Sequence, residues 1–126
     1  MGQDTNFAAA LDMVRETARE IRRLEAGASD ALHNRGDKAA HRANLVEKCE
    51  LLAGLPEQVL PLLKGETPDT QKLREGLQDF ARRAGMALDV ESVFFMGALL
   101  YPDDYQDGEP NDLERFVMRF EASERR

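Results

Sequence analysis

From Phe7 to Leu32 apolar residues recur at intervals of three and four: Phe7, Leu11, Val14, Ala18, Ile21, Leu24 or Glu25, Ala28 and Leu32. That spacing holds one narrow stripe on a single side of a helix for about seven turns. A helix of this length needs another helix alongside it, from the same chain or from another subunit. The sequence supplies one at once. His33-Asn34-Arg35-Gly36-Asp37 reads as a stop, with Asn34 or Gly36 taking the left-handed conformation and Asp37 capping the next helix. So short a link makes the two helices an antiparallel hairpin.

The spacing predicts helices over 6–33, 38–63, 70–100 and 111–124, that is, an all-α antiparallel bundle of four main helices in one domain spanning 1–126. Asp4, Thr5 or Asn6 can cap the first helix. In the second, Ala39, Ala43, Val46, Cys49 or Leu52, Leu55, Val59 and Leu62 face the core. Gly54 and Pro56 predict a local break or restart there. The third takes Asp69 or Thr70 as its cap and carries Leu73, Leu77, Phe80, Ala84, Leu88, Glu91, Phe95 and Ala98 or Leu99. The fourth opens on Asn111 and Glu114, spaced as a capping box, and presents Leu113, Phe116, Val117 and Phe120. No strand pattern, repeat or low-complexity tract competes with this reading.

Composition narrows the function classes. Apolar residues make up 42% and charged residues 33%, which is globular rather than disordered composition. The N-terminus shows no basic leader or long apolar run, and Val93–Tyr101 is too short to span a bilayer, so a cytoplasmic protein without a membrane segment is expected. One cysteine, Cys49, precludes an internal disulfide, and its helical setting predicts a buried thiol. Five of the 24 acids lie in Asp103–Asp112 without a base; the other 19 nearly balance the 17 Lys and Arg. The net charge of -7 argues against a general nucleic-acid-binding surface, leaving local patches at Arg19, Arg22, Arg23 and at Arg82, Arg83.

Candidate chemistry is sparse. His33 and His41 straddle the turn without zinc-site spacing; they read as a last-turn residue and a polar-face residue. Glu91 falls on an otherwise apolar face, so it is expected in a buried polar network with Arg15, Arg19, Arg22 or Arg42 rather than in a metal or acid–base site. Asp103 to Glu114 matches a calcium loop at positions 1, 5, 6 and 12, but Tyr105 and Pro110 break the pattern, and a solvated turn is expected. Glu16 or Glu20 opposite Glu47 or Glu50 lacks the Glu-x-x-His of a bundle di-metal site. No catalytic residue, metal or cofactor is assigned.

The stretch TAREIRRLEAGASDALHNRGDKAAHRANLVEKCELLAGL resembles the first hairpin of the translin and translin-associated factor X family. GMALDVESVFFMGALL is similar to a later helix of that family, and NDLERFVMRFEASERR to the one after, with Asp112 and Arg125-Arg126 at its two ends. The resemblance covers nearly all of this chain but only about the first half of a family member. It implies an all-helical fold, octameric shells and binding of single-stranded RNA or DNA, with metal-dependent RNase activity in the factor X branch. The three carboxylate positions of that nuclease hold Leu88, Glu91 and Arg119, so nuclease activity is expected to be absent. The reading as a whole is a non-enzymatic helical bundle acting through self-association or a protein partner. Its alternative is a translin-like module that binds single-stranded nucleic acid without cutting it. Self-association is expected because the first helix outruns the second and the last helix carries two phenylalanines.

Overall fold

A computed structural model describes residues 2–124, with side-chain surroundings over 6–122; Arg125 and Arg126 lie outside the described residues. The chain is all-helical: α1 (Gly2–His33), α2 (Lys38–Val59), a 3-10 turn (Leu60–Leu62), α3 (Pro68–Asp89), α4 (Val93–Ala98) and α5 (Asp112–Glu124). No strand occurs among the described residues, and four of the five α-helices are long.

The α1 stripe is buried as its spacing requires. Leu11, Val14, Ala18, Ile21, Leu24 and Ala28 lie inside, joined by Ala10 and Ala31. Asp37 Oδ1 accepts from the Ala40 N–H at 3.0 Å, so the short link ends in the expected cap, and Gly36 takes φ 63°. At the α1–α2 crossing Gly27 leaves just enough room for the Asn44 side chain, which an added Cβ would approach to 3.0 Å. On α3 a Cβ at Gly76 would stand 2.3 Å from the Phe116 ring, so this glycine is what lets α5 press onto α3.

Several boundaries differ from expectation. Helix α1 begins at Gly2, which puts Asp4, Thr5 and Asn6 inside it rather than at its cap. Helix α2 runs unbroken through Gly54 and Pro56 to Val59 and only then tightens into the 3-10 turn. Proline in mid-helix forfeits one backbone bond, and Leu52 and Leu55 in full burial beside it offset that loss. Its core face is also rotated from the expected one. Ala39 and Ala43 are exposed, while Leu45 and Lys48 are buried with Cys49, Leu52, Leu55 and Val59.

The largest difference lies in the third helix, expected to be continuous over 70–100. It stops at Asp89. Glu91 takes φ 53°, and Ser92 Oγ then accepts from the Phe95 N–H at 3.1 Å to start α4. The three/four spacing alone does not register such a break, because Leu88, Glu91 and Phe95 continue it straight across. The break re-aims the chain. Met96 and Leu100 go inside, while Phe94 and Phe95 are left outward at 77% and 56% exposure.

The left-handed conformation of Glu91 costs a non-glycine residue about 1–2 kcal/mol. Since Glu91 is exposed, nothing in packing opposes its removal. Glu91→Gly should raise stability by up to about 1 kcal/mol in urea denaturation, part of the relief being offset by glycine's unfolded-state entropy. A loss of stability on this change would show that the carboxylate contributes something beyond the turn.

Candidate functional site

The break in the third helix sets up the one region where buried charge and exposed apolar surface meet. Lys48, on the inner face of α2, has no exposed surface at all. An ammonium can be buried only with partners, and three are present. Its Nζ lies 2.9 Å from Glu25 Oε2 across the α1–α2 interface. It donates to the Leu99 carbonyl at 2.9 Å and to that of Gly97 at 3.4 Å, both at the C-terminal end of α4. These carbonyls lack helical partners because the helix ends there. Lys48 thereby closes the end of α4 from below.

Glu25 is held from a second side. Tyr101 donates its hydroxyl to Glu25 Oε1 at 2.5 Å, and its ring lies 5.3 Å from Lys48 Nζ and 5.7 Å from the Arg22 guanidinium. Burial, then the hydrogen bond to Glu25 and that residue's negative charge, push the Tyr101 phenol well above its ordinary range. Tyr105 meets Tyr101 edge-on at 4.7 Å between centroids.

Arg22 carries the arrangement on to α5. Its Nη2 lies 2.8 Å from Glu114 Oε1, and its Nε donates to Oε2 of the same residue at 3.1 Å. Nη2 also donates to the Glu109 carbonyl at 3.0 Å. Glu114 completes the expected capping box, accepting from the Asn111 N–H at 2.8 Å while Asn111 Oδ1 accepts from the Glu114 N–H at 2.9 Å. Partial burial works to raise the Glu114 carboxyl, but the bonds from Arg22 and from the Asn111 N–H outweigh it and hold it below the usual carboxylate range. Glu114 is the closing position of the calcium-like loop, and here it is turned to Arg22 and the helix cap. Among the described residues no group of three or more His, Cys, Asp or Glu is placed to hold a metal ion.

Above this charged floor stands α4 as a ridge between two open grooves. One, of about 870 Å³, runs between α1, α2 and α4 and is lined by His33, His41, Leu45, Phe94, Tyr101 and Asp107, among others. The other, of about 500 Å³, lies on the α3 side against Met86, Val90, Phe95, Leu99 and Pro102. Met86 and Val90 are 57% and 60% exposed, so with the two phenylalanines they form the main outward apolar surface. In the larger groove His41 Nδ1 sits 2.9 Å from the Ala28 carbonyl. That carbonyl can only accept, so the ring donates from Nδ1.

The residues singled out from sequence are distributed differently from expectation. Glu91 is exposed in the α3–α4 turn, so the buried polar network assigned to it does not exist there. Its contribution to the first hairpin is its carbonyl, which accepts from Arg42 at 3.5 Å. Arg15 is half-buried and joins Asp12 and Glu121 instead, and Arg19 is exposed. The actual network is Lys48, Glu25, Tyr101, Arg22 and Glu114. Of the five arginines in the two basic clusters, four are held by carboxylates: Arg22 by Glu114, Arg23 by Glu20, and both Arg82 and Arg83 by Asp79. Of these five, Arg19 alone lacks an ion pair among the described residues. Cys49 is buried, and burial raises its thiol pKa, which makes it unreactive.

The surplus apolar surface also lies elsewhere than expected. Phe116 and Phe120 on the last helix pack edge-on with Phe80 and Phe7, and the outward phenylalanines are those of α4. No known protein family, characterised protein or solved structure matches this chain.

Removing one member of a buried ion pair strands the other, at a cost of about 3–5 kcal/mol. Lys48→Met should cost about 3 kcal/mol, the low end, because Glu25 keeps its Tyr101 bond. Adding Glu25→Gln to Lys48→Met should restore about 1 kcal/mol of that loss; strict additivity of the two changes would refute the coupling.

Tyr101 supplies a pH signature. A raised folded-state pKa means the folded protein retains a proton that the unfolded chain releases near pH 10, so the contribution is full below about 10 and is lost as pH rises further. Stability of the wild type should therefore fall above about pH 10 more steeply than that of Tyr101→Phe. Parallel alkaline limbs in the two proteins would show that the phenol is not perturbed.

Proposed function

We propose that this protein is a non-enzymatic helical module that docks another polypeptide on the α4 ridge. The observation that carries the reading is the exposure of Phe94, Phe95, Val90 and Met86 on one side of a structure that covers its other large apolar residues well, Met118 excepted. Contiguous exposed apolar surface, particularly aromatic surface beside grooves, is what protein interfaces use. Aromatic side chains seated next to grooves supply most of the binding energy at such interfaces.

Two features support docking over catalysis. The charges beneath the ridge, one buried and three half-buried, pair with one another: Lys48, Glu25, Arg22 and Glu114 each have an opposite charge or carbonyl in contact. Helix α4 is also fixed at both ends, by the Ser92 cap and by Lys48. A preorganised ridge loses little further freedom on binding. Binding of single-stranded nucleic acid finds less support, since carboxylates already hold four of the five arginines that would serve it.

Site-specific photocrosslinking in the cells that make the protein tests this reading. With p-benzoylphenylalanine in place of Phe94, a discrete protein adduct should form that does not form from exposed Gln78 on α3. An adduct of twice the 14.2 kDa chain mass would identify a second copy as the occupant. Equal, diffuse labelling from both positions would remove the ridge as a docking surface.

A further inference from the structure

The carboxylates around the ridge point to the chemistry of its occupant. Asp89 ends α3 and Glu91 lies in the turn that leads into α4, on either side of Val90, which lines the smaller groove. Asp103 and Asp104 follow Pro102, which lines that same groove, and Asp107 lines the larger groove with Phe94. All five are exposed, and none forms an ion pair among the described residues. The cations nearby are largely engaged. Arg22 is bound to Glu114, and Arg82 and Arg83 share Asp79. Arg42 is the guanidinium at this edge that no carboxylate holds, and it leans on the Glu91 carbonyl at 3.5 Å. His33 and His41 line the larger groove.

We infer that the α4 ridge receives a basic amphipathic helix, whose apolar anchors enter the two grooves beside Phe94 and Phe95 and whose lysines or arginines meet Asp89, Glu91, Asp103, Asp104 and Asp107. This rests on the docking proposal and adds the partner's charge and form. A helix laid on a hydrophobic surface presents anchors at i, i+3, i+4 and i+7, and grooves flanking the single helix α4 stand about one helix diameter, roughly 10 Å, apart, which is the rise of about seven residues. The acidic rim selects among occupants. A second copy placed face to face on the same ridge would oppose carboxylates to carboxylates, and a nucleic acid would bring phosphates to them; both are disfavoured. A basic helix gains attraction on approach and apolar burial on contact.

The test uses the full chain and two designed helical peptides of about 18 residues. The two share one Leu- and Trp-bearing face and differ in carrying Lys or Glu on the flanks. Tryptophan fluorescence should show the Lys peptide binding at least about tenfold tighter than the Glu peptide at low salt, with the gap narrowing as salt is added. The triple change Asp103→Asn, Asp104→Asn, Asp107→Asn should weaken the Lys peptide about fivefold and leave the Glu peptide no weaker. Phe94→Ser, at an exposed position, should weaken both about tenfold with an unchanged melting temperature. Equal affinity for the two peptides, or Lys-peptide binding indifferent to Phe94→Ser, would overturn the inference. So would tighter binding of a single-stranded oligonucleotide than of the Lys peptide. If Phe94 photocrosslinks to a protein or to a second copy while the Lys peptide shows no preference, the charge inference fails and the docking surface stands. Absence of both crosslink and peptide binding removes both.

Discussion

Lys48 is the side chain on which the arrangement of this bundle turns. An ammonium with no exposed surface imposes conditions on everything around it, because water cannot supply what the protein leaves out. Glu25 has to come from α1 at one height of the α1–α2 interface. The chain after α3 has to deliver carbonyls to the same point, and Leu99 and Gly97 do so. That requirement accounts for the break at 90–92. Last-turn carbonyls are open in a continuous helix as well; what the turn at 90–92 sets is the direction of α4, and with it the point to which these carbonyls are delivered. A six-residue helix has no stability of its own in water. Helix α4 is ordered because Ser92 closes one end and Lys48 the other.

The second set of contacts, Arg22 to Glu114 and Glu109, is of a different kind. Arg22 and Glu114 are 38% and 28% exposed at their side chains, so solvent screens much of their attraction and their contribution to stability is modest. Their effect is geometric. The bidentate guanidinium fixes the start of α5 against α1, and the same nitrogen holds the Glu109 carbonyl and so anchors the acidic loop. Tyr101 and Tyr105 link this set to the Lys48 set through Glu25 and their ring contact. The loop therefore carries its carboxylates at a defined place beside the larger groove.

How far the sequence discloses this depends on the range of the interaction. The α1 stripe, the Asp37 cap and the Asn111–Glu114 box are local, and each appears in the structure as its spacing predicts. The end of α3 has only a weak local signal, the capping capacity of Ser92, against an apolar periodicity that runs straight through. Following that periodicity places Glu91 inside. Once the chain turns at 90–92, the register behind that placement no longer applies. Lys48 is hidden for another reason. Between Glu47 and Cys49 it reads as a polar-face residue, and its partners lie 23 residues earlier at Glu25 and 51 later at Leu99. Nothing within one turn of it announces burial.

Apolar side chains in place of both Lys48 and Glu25 would fill the same volume, and a buried ion pair replaced whole by hydrophobic residues often costs no stability. They would not fix the roll of α4, because hydrophobic contact is non-directional. Two carbonyls aimed at one ammonium are directional, and on a helix this short they determine which residues face out. With Met96 and Leu100 turned inward, the 3.6-residue period leaves Phe94 and Phe95 outward on adjoining sides of the ridge, one toward each groove. The exposed aromatic pair is thus a consequence of where the buried cation sits. The fold secures its own interior with the same contact that sets its outward apolar face.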